Sequence, residues 1–169
     1  CYEIQTAVDD DISPEAAGLL CTWREVYGGI DDFQIQPGDD VLIFGAGPVG
    51  LSFVKFLKMK GLPYVGVVEP NEAKHPYARE MGADAVFVPN SPELDQLTAD
   101  CGNPLDVVVD AVGSQDIINA ALPLIKLGGT IGVYGVLAEQ TITIEKAKGP
   151  YNFNLFVHQW PTRWREREA

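Results

Sequence analysis

Long apolar runs, paired cysteines and an excess of positive charge are all missing from this chain of 169 residues. Each absence removes a class of function. No apolar stretch approaches the ~20 residues that a membrane helix needs. The three cysteines, Cys1, Cys21 and Cys101, are far apart and odd in number, so they suggest neither a CxxC pair nor a disulfide framework. The two histidines, His75 and His158, have no partner at ligand spacing and read as structural. A formal charge of −12 repels the phosphates of nucleic acid and of an anionic membrane surface. The opening Cys1-Tyr2-Glu3 shows no basic n-region and no apolar h-region. The expectation is an intracellular, cytoplasmic protein with no nucleic-acid or membrane partner. The missing initiator Met points to a segment of a longer protein.

What is present centres on residues 40–50, DVLIFGAGPVG. Four apolar residues run into G-x-G-x-x-G, and a helical pattern follows to Gly61. Gly45 permits a tight turn out of the strand, Gly47 leaves room for a pyrophosphate, and Gly50 lets the helix pack close to the sheet. Pro48 suits the first helical turn, and the free N–H groups beyond it, from Val49 onward, favour an anion. A ligand-free glycine turn could share these letters. Glu69, closing the next apolar strand 19 residues after Gly50, weighs against that. Its carboxylate can accept ribose hydroxyls and oppose a 2′-phosphate, which favours NAD over NADP. A solvated strand-end acid is the plain alternative. Lys74 reads either as a ribose contact or as a surface lysine.

Strands and helices alternate along the chain. Ser13-Pro14 opens a helix expected to end at Gly28-Gly29. Strands are expected at 41–44, 64–69, 85–88, 106–111, 130–135 and 153–158, with a short one at 141–144. Helices are expected at 48–60, up to 82, near 92–100 and at 115–127. This pattern implies an α/β fold: a doubly wound, mostly parallel six-stranded Rossmann sheet with helices on both faces. Ligands of such sheets bind at the carboxyl ends of strands. Ala111-Val112 after the fourth strand and Tyr134-Gly135-Val136 after the fifth are therefore candidate cofactor contacts.

Several further segments carry a family resemblance. Residues 11–17 (DISPEAA), 20–27 (LCTWREVY), 36–39 (QPGD), 78–84 (AREMGAD), 105–113 (LDVVVDAVG) and 127–131 (LGGTI), taken with the glycine turn, resemble the cofactor domain of the medium-chain dehydrogenase/reductase family. These are the zinc-type alcohol dehydrogenases. The resemblance implies a dinucleotide-binding domain over residues 13–158. It makes 1–12 a lead-in from a catalytic domain absent from this chain, and 159–169 a tail returning toward that domain. It further implies hydride transfer between an alcohol or polyol carbon and NAD, with zinc in the full-length enzyme. Cys21 matches the family's third zinc ligand, although by residue type alone it reads as a small buried hydrophobe. Glu25, four residues on, departs from the small residue common there. The isolated chain is expected to be inactive and to hold no stoichiometric zinc.

Residues 152–158 read as an edge strand that could pair in a homodimer. Trp160 and Trp164 read as packing against the absent domain. Three other functions remain open at this level. One is a zinc-free quinone or enoyl reductase, which usually takes NADPH. Another is a Rossmann methyltransferase using S-adenosylmethionine, whose last strand is usually antiparallel. The third is a non-enzymatic NAD-binding module.

Overall fold

Unbroken apolar runs form the strands, because helices cover both faces of the sheet they build. The computed structural model describes residues 7–99 and 105–158. Its elements are α1 (Pro14–Asp32), β1 (Asp40–Phe44), α2 (Pro48–Met59), β2 (Tyr64–Val68), α3 (His75–Glu80), β3 (Ala85–Phe87), α4 (Pro92–Ala99), β4 (Leu105–Asp110), α5 (Gln115–Ala121), β5 (Ile125–Val133) and β6 (Asn154–Val157). The strands form one sheet in the order β3-β2-β1-β4-β5-β6. Every neighbouring pair is parallel. The winding reverses between β1 and β4, and a crevice opens beyond their carboxyl ends.

Side chains alternate across β1 and feed two cores. Val41 and Ile43 pack with Ile30, Phe33, Phe53 and Leu57 on the face of α1 and α2. Leu42 and Phe44 pack with Ile118, Leu122 and Ile131 on the face of α5. Each such fully buried side chain contributes roughly 1.5–3 kcal/mol of transfer free energy. These cores hold the strand ends, and therefore the turns beyond them, in fixed register.

Four local expectations are corrected. Gly28 and Gly29 do not end α1. Both lie buried within it, and a Cβ on Gly29 would sit 3.0 Å from Tyr134 Cε2, so that glycine makes room for a ring. The helix predicted to reach 127 stops at Ala121. A 3₁₀ turn at Leu122–Leu124 follows, where Pro123 has no N–H to continue the helix. β5 starts correspondingly early, at Ile125. Residues 141–144 form no strand. Their backbone is held by α5 instead: Asn119 Nδ2 donates to the Thr143 carbonyl (3.0 Å), and the Thr143 amide donates to Gln115 Oε1 (2.7 Å). The first six residues of the expected lead-in and the tail at 159–169 lie outside the described residues.

Candidate dinucleotide site

The glycine turn leaves β1 with Gly45 at φ +102°, a backbone region that penalises any side chain. A Cβ on Gly50 would lie 2.0 Å from the Gly45 carbonyl oxygen. Gly50 therefore sets how close α2 approaches the turn. Gly47 differs, since a Cβ there would meet nothing within 4 Å. It caps α2 without a side-chain hydrogen bond, and Pro48 follows. The first intrahelical bond at this end runs from the Leu51 amide to the Gly47 carbonyl. The amides of Val49 and Gly50 precede it, so this end of α2 presents orphan donors and open space to an anion.

Glu69 follows directly on β2 and is only 4% exposed. The Ala46 amide donates to its Oε2 (2.8 Å) and the Asn71 amide to its Oε1 (2.9 Å). Lys74 Nζ lies 3.5 Å from Oε2. Burial alone would raise the carboxyl's pKa. The two backbone donors and Lys74 outweigh that and hold it below the usual carboxylate range. His75 is buried, and its Nε2 donates to the Glu69 carbonyl (2.8 Å). Asn71 caps the 3₁₀ turn Glu72–Lys74, and α3 begins at His75 with Pro76 in its first turn. Lys74 is thereby placed beside the acid.

The loops after β4 and β5 form the opposite wall. Asp110 is fully buried, and its carboxylate accepts three amides: Val112 (2.9 Å), Gly113 (2.8 Å) and Ser114 (3.0 Å). A Cβ on Gly135 would lie 2.0 Å from the Gly113 nitrogen, so the two loops touch backbone to backbone. Between this wall and β2 opens a cleft of about 850 Å³, lined among others by Gly45, Glu69, Pro70, Lys74 and Val112.

The sequence candidates divide by position. Gly45, Glu69, Lys74 and Val112 line the cleft, and Gly47, Pro48, Val49 and Gly50 stand at the α2 end. Ala111 is half-buried, with its amide donated to the Phe44 carbonyl (3.0 Å). Val136 is exposed. Tyr134 does not line the cleft; its ring packs edge-on against the stacked pair Phe33 and Phe53 and leaves a buried hydroxyl without a hydrogen-bond partner. Sequence reasoning passed over Pro70 and Asp110. An acid closing Val107-Val108-Val109 before a Gly-Ser was the available signal for Asp110.

Cys21 is exposed on α1 rather than a buried hydrophobe, and its Sγ lies 3.6 Å from Glu25 Oε1. A structural zinc takes four ligands and a catalytic one three protein ligands. Among the described residues, no group of three or more His, Cys, Asp or Glu side chains could hold a metal. The described residues alone do not make a zinc site.

A model of the zinc-binding dehydrogenase family matches residues 48–157. The chain belongs to that family. D-arabinitol dehydrogenase 1 of Uromyces fabae is 33% identical over 135 residues, covering 75% of this chain and 38% of that protein. The chain thus spans about two fifths of the length of such relatives. An alcohol dehydrogenase from E. coli CFT073, solved with NADH, superposes with a TM-score of 0.81 at 21% identity, covering 96% of this chain and 49% of that one. A protein named as a zinc-binding dehydrogenase from Sinorhizobium meliloti 1021, bound to NADP, gives 0.78 at 24% identity, covering 95% and 48%. As a zinc-binding dehydrogenase segment, the chain carries the family's doubly wound sheet. Its β6 runs parallel to β5, unlike the antiparallel last strand expected of a methyltransferase. No helix among the described residues is long and apolar enough to cross a membrane.

Proposed function

We propose that residues 13–158 are the NAD(H)-binding domain of an NAD-dependent alcohol or polyol dehydrogenase. The buried Glu69 carboxylate at the mouth of the glycine turn carries this reading. There it accepts the adenosine ribose hydroxyls and opposes a 2′-phosphate. Gly47 lets a pyrophosphate reach the amides of Val49 and Gly50. Pro70 and Val112 offer apolar cleft surface to the adenine. A bound nicotinamide supplies the hydride acceptor or donor, and this chain binds and orients it.

The substrate class follows the names of the relatives, among them the arabinitol dehydrogenase. The rest of the active site, including zinc held in part by Cys21, belongs to a catalytic domain outside this chain. The isolated chain is accordingly inactive. β6 is an edge strand and suits pairing in a homodimer. Cytoplasmic localisation fits Cys21 standing outside any disulfide.

Lys74 favours a second reading, NADP. Its ammonium stands 3.5 Å from Glu69 and could meet a 2′-phosphate. Calorimetric titration of the chain with NAD and with NADP decides. Tighter NAD binding is expected. Equal or tighter NADP binding would overturn the NAD assignment, and binding of neither would overturn the dinucleotide reading.

A further inference from the structure

Asp110 stands at the join of three strand ends. Its carboxylate accepts the amides of Val112, Gly113 and Ser114. Its carbonyl accepts those of Tyr134 and Gly135, both at 2.9 Å, and the next amide, Ala111, donates to Phe44 at the end of β1. The side chain is fully buried. A carboxylate removed from water is costly unless its oxygens are satisfied, and here backbone dipoles satisfy it. The conformation it fixes has a direct consequence at the cleft. Val112 is 54% exposed, yet its Cγ2 lies so near Gly45 that a Cβ there would stand 2.8 Å away. Val112 therefore rests on the first glycine of the turn while facing the cleft.

We infer that Asp110 is a positioning residue for the nucleotide: by clamping the loop after β4 it holds Val112 against Gly45 and so fixes the cleft wall that the adenosine end of the cofactor meets. Glu69 holds the turn directly through Ala46. Asp110 holds it from the other side, through Val112. The inference rests on the dinucleotide reading above, and it predicts more than a contribution to folding. A purely structural Asp110 would lower the melting temperature of a variant while leaving ligand affinity unchanged at temperatures where the variant is fully folded. A positioning Asp110 changes the affinity itself.

The test is calorimetric titration with AMP and with NAD at a temperature well below melting, comparing the wild-type chain with Asp110→Asn, Val112→Ala and Glu80→Gln. Asp110→Asn turns one acceptor oxygen into a donor that faces backbone N–H groups. Glu80, at the end of α3, is exposed and outside the residues that line the cleft, and controls for the loss of one charge. The expected result is AMP affinity about tenfold weaker or more in Asp110→Asn, equivalent to about 1.4 kcal/mol. Val112→Ala should weaken it severalfold, and Glu80→Gln should not weaken it. A folded Asp110→Asn that binds AMP like the wild type overturns the inference and leaves the dinucleotide reading intact. If Asp110→Asn does not fold, unchanged AMP affinity in Val112→Ala overturns it equally. Wild-type chain that binds neither AMP nor NAD overturns both.

Discussion

Glu69 reaches back from the end of β2 to the glycine turn, where its Oε2 accepts the Ala46 amide at 2.8 Å. The acid that the cofactor's ribose would meet is therefore also a fastening for the loop that its pyrophosphate would meet. Glu69→Ala strips the acceptor from a buried amide and leaves Lys74 unpaired by it. A buried donor left without a partner costs about 1–3 kcal/mol. The variant should lose stability on that scale in urea denaturation, and its NAD-over-NADP preference should shrink in parallel titrations. Unchanged stability would show that water replaces the carboxylate at Ala46.

The same carboxylate gives a signed pH dependence. Its pKa in the folded chain is lowered, against burial, by the Ala46 and Asn71 amides and by Lys74. A group lowered on folding stabilises the fold above its unfolded pKa, about 4.3 for glutamate, and loses that contribution as pH falls through the folded value. Relative to Glu69→Gln, which cannot ionise, the wild-type chain should gain stability most fully at neutral pH. The difference should narrow below about pH 4.3. Urea midpoints of both proteins from pH 7 downward, by circular dichroism, check this. A gap that widens toward acid would contradict it.

Two glycines of the turn should respond in opposite ways to alanine. At Gly50 the new Cβ meets the Gly45 carbonyl oxygen at 2.0 Å, and both partners are backbone, so α2 must move. Overpacking of this kind costs typically 1–3 kcal/mol, occasionally more, and Gly50→Ala should both destabilise the chain and lose NAD. At Gly47 the Cβ enters open space at φ −81°, which alanine tolerates. Gly47→Ala should stay within about 1 kcal/mol of the wild type, the cost of a poorer N-cap, yet bind NAD more weakly because the methyl occupies the anion's path. Thermal melts paired with titrations separate the two. Tight NAD binding by Gly47→Ala would place the pyrophosphate elsewhere.

The alternation of apolar runs and helices was enough to foresee a parallel sheet, and the spacing of Gly45, Gly47, Gly50 and Glu69 singled out the ends of β1 and β2 as a candidate dinucleotide site. Both signals are local and periodic. The misreadings arose where a residue's role depends on a distant neighbour. Gly29 resembles a helix stop until Tyr134 is seen lying over it. Residues 141–144 alternate like a strand, but Asn119 and Gln115 supply their hydrogen bonds in place of a partner strand. Asp110 was passed over, because the three amides that define it come from a loop whose path its own side chain sets. Tyr134, a candidate cofactor contact by its position after β5, carries its ring into the core beside Phe33 and Phe53.

That ring supplies a last prediction. Tyr134 packs edge-on against Phe53 (5.3 Å, 84°) and Phe33 (6.4 Å, 86°), while its buried hydroxyl has no hydrogen-bond partner. Burial, with Glu25 and Cys21 nearby, pushes the phenol's pKa well up, so the hydroxyl stays protonated and its desolvation is uncompensated. Tyr134→Phe keeps the ring contacts and deletes only the orphaned group. Its stability should match the wild type or exceed it by up to about 1 kcal/mol, whereas Tyr134→Ala should lose about 3–5 kcal/mol through the cavity left beside the two stacked phenylalanines. Urea midpoints of the three proteins compare them directly. A Tyr134→Phe variant weaker than the wild type by more than about 1 kcal/mol would mean that the hydroxyl is satisfied in solution by an ordered water.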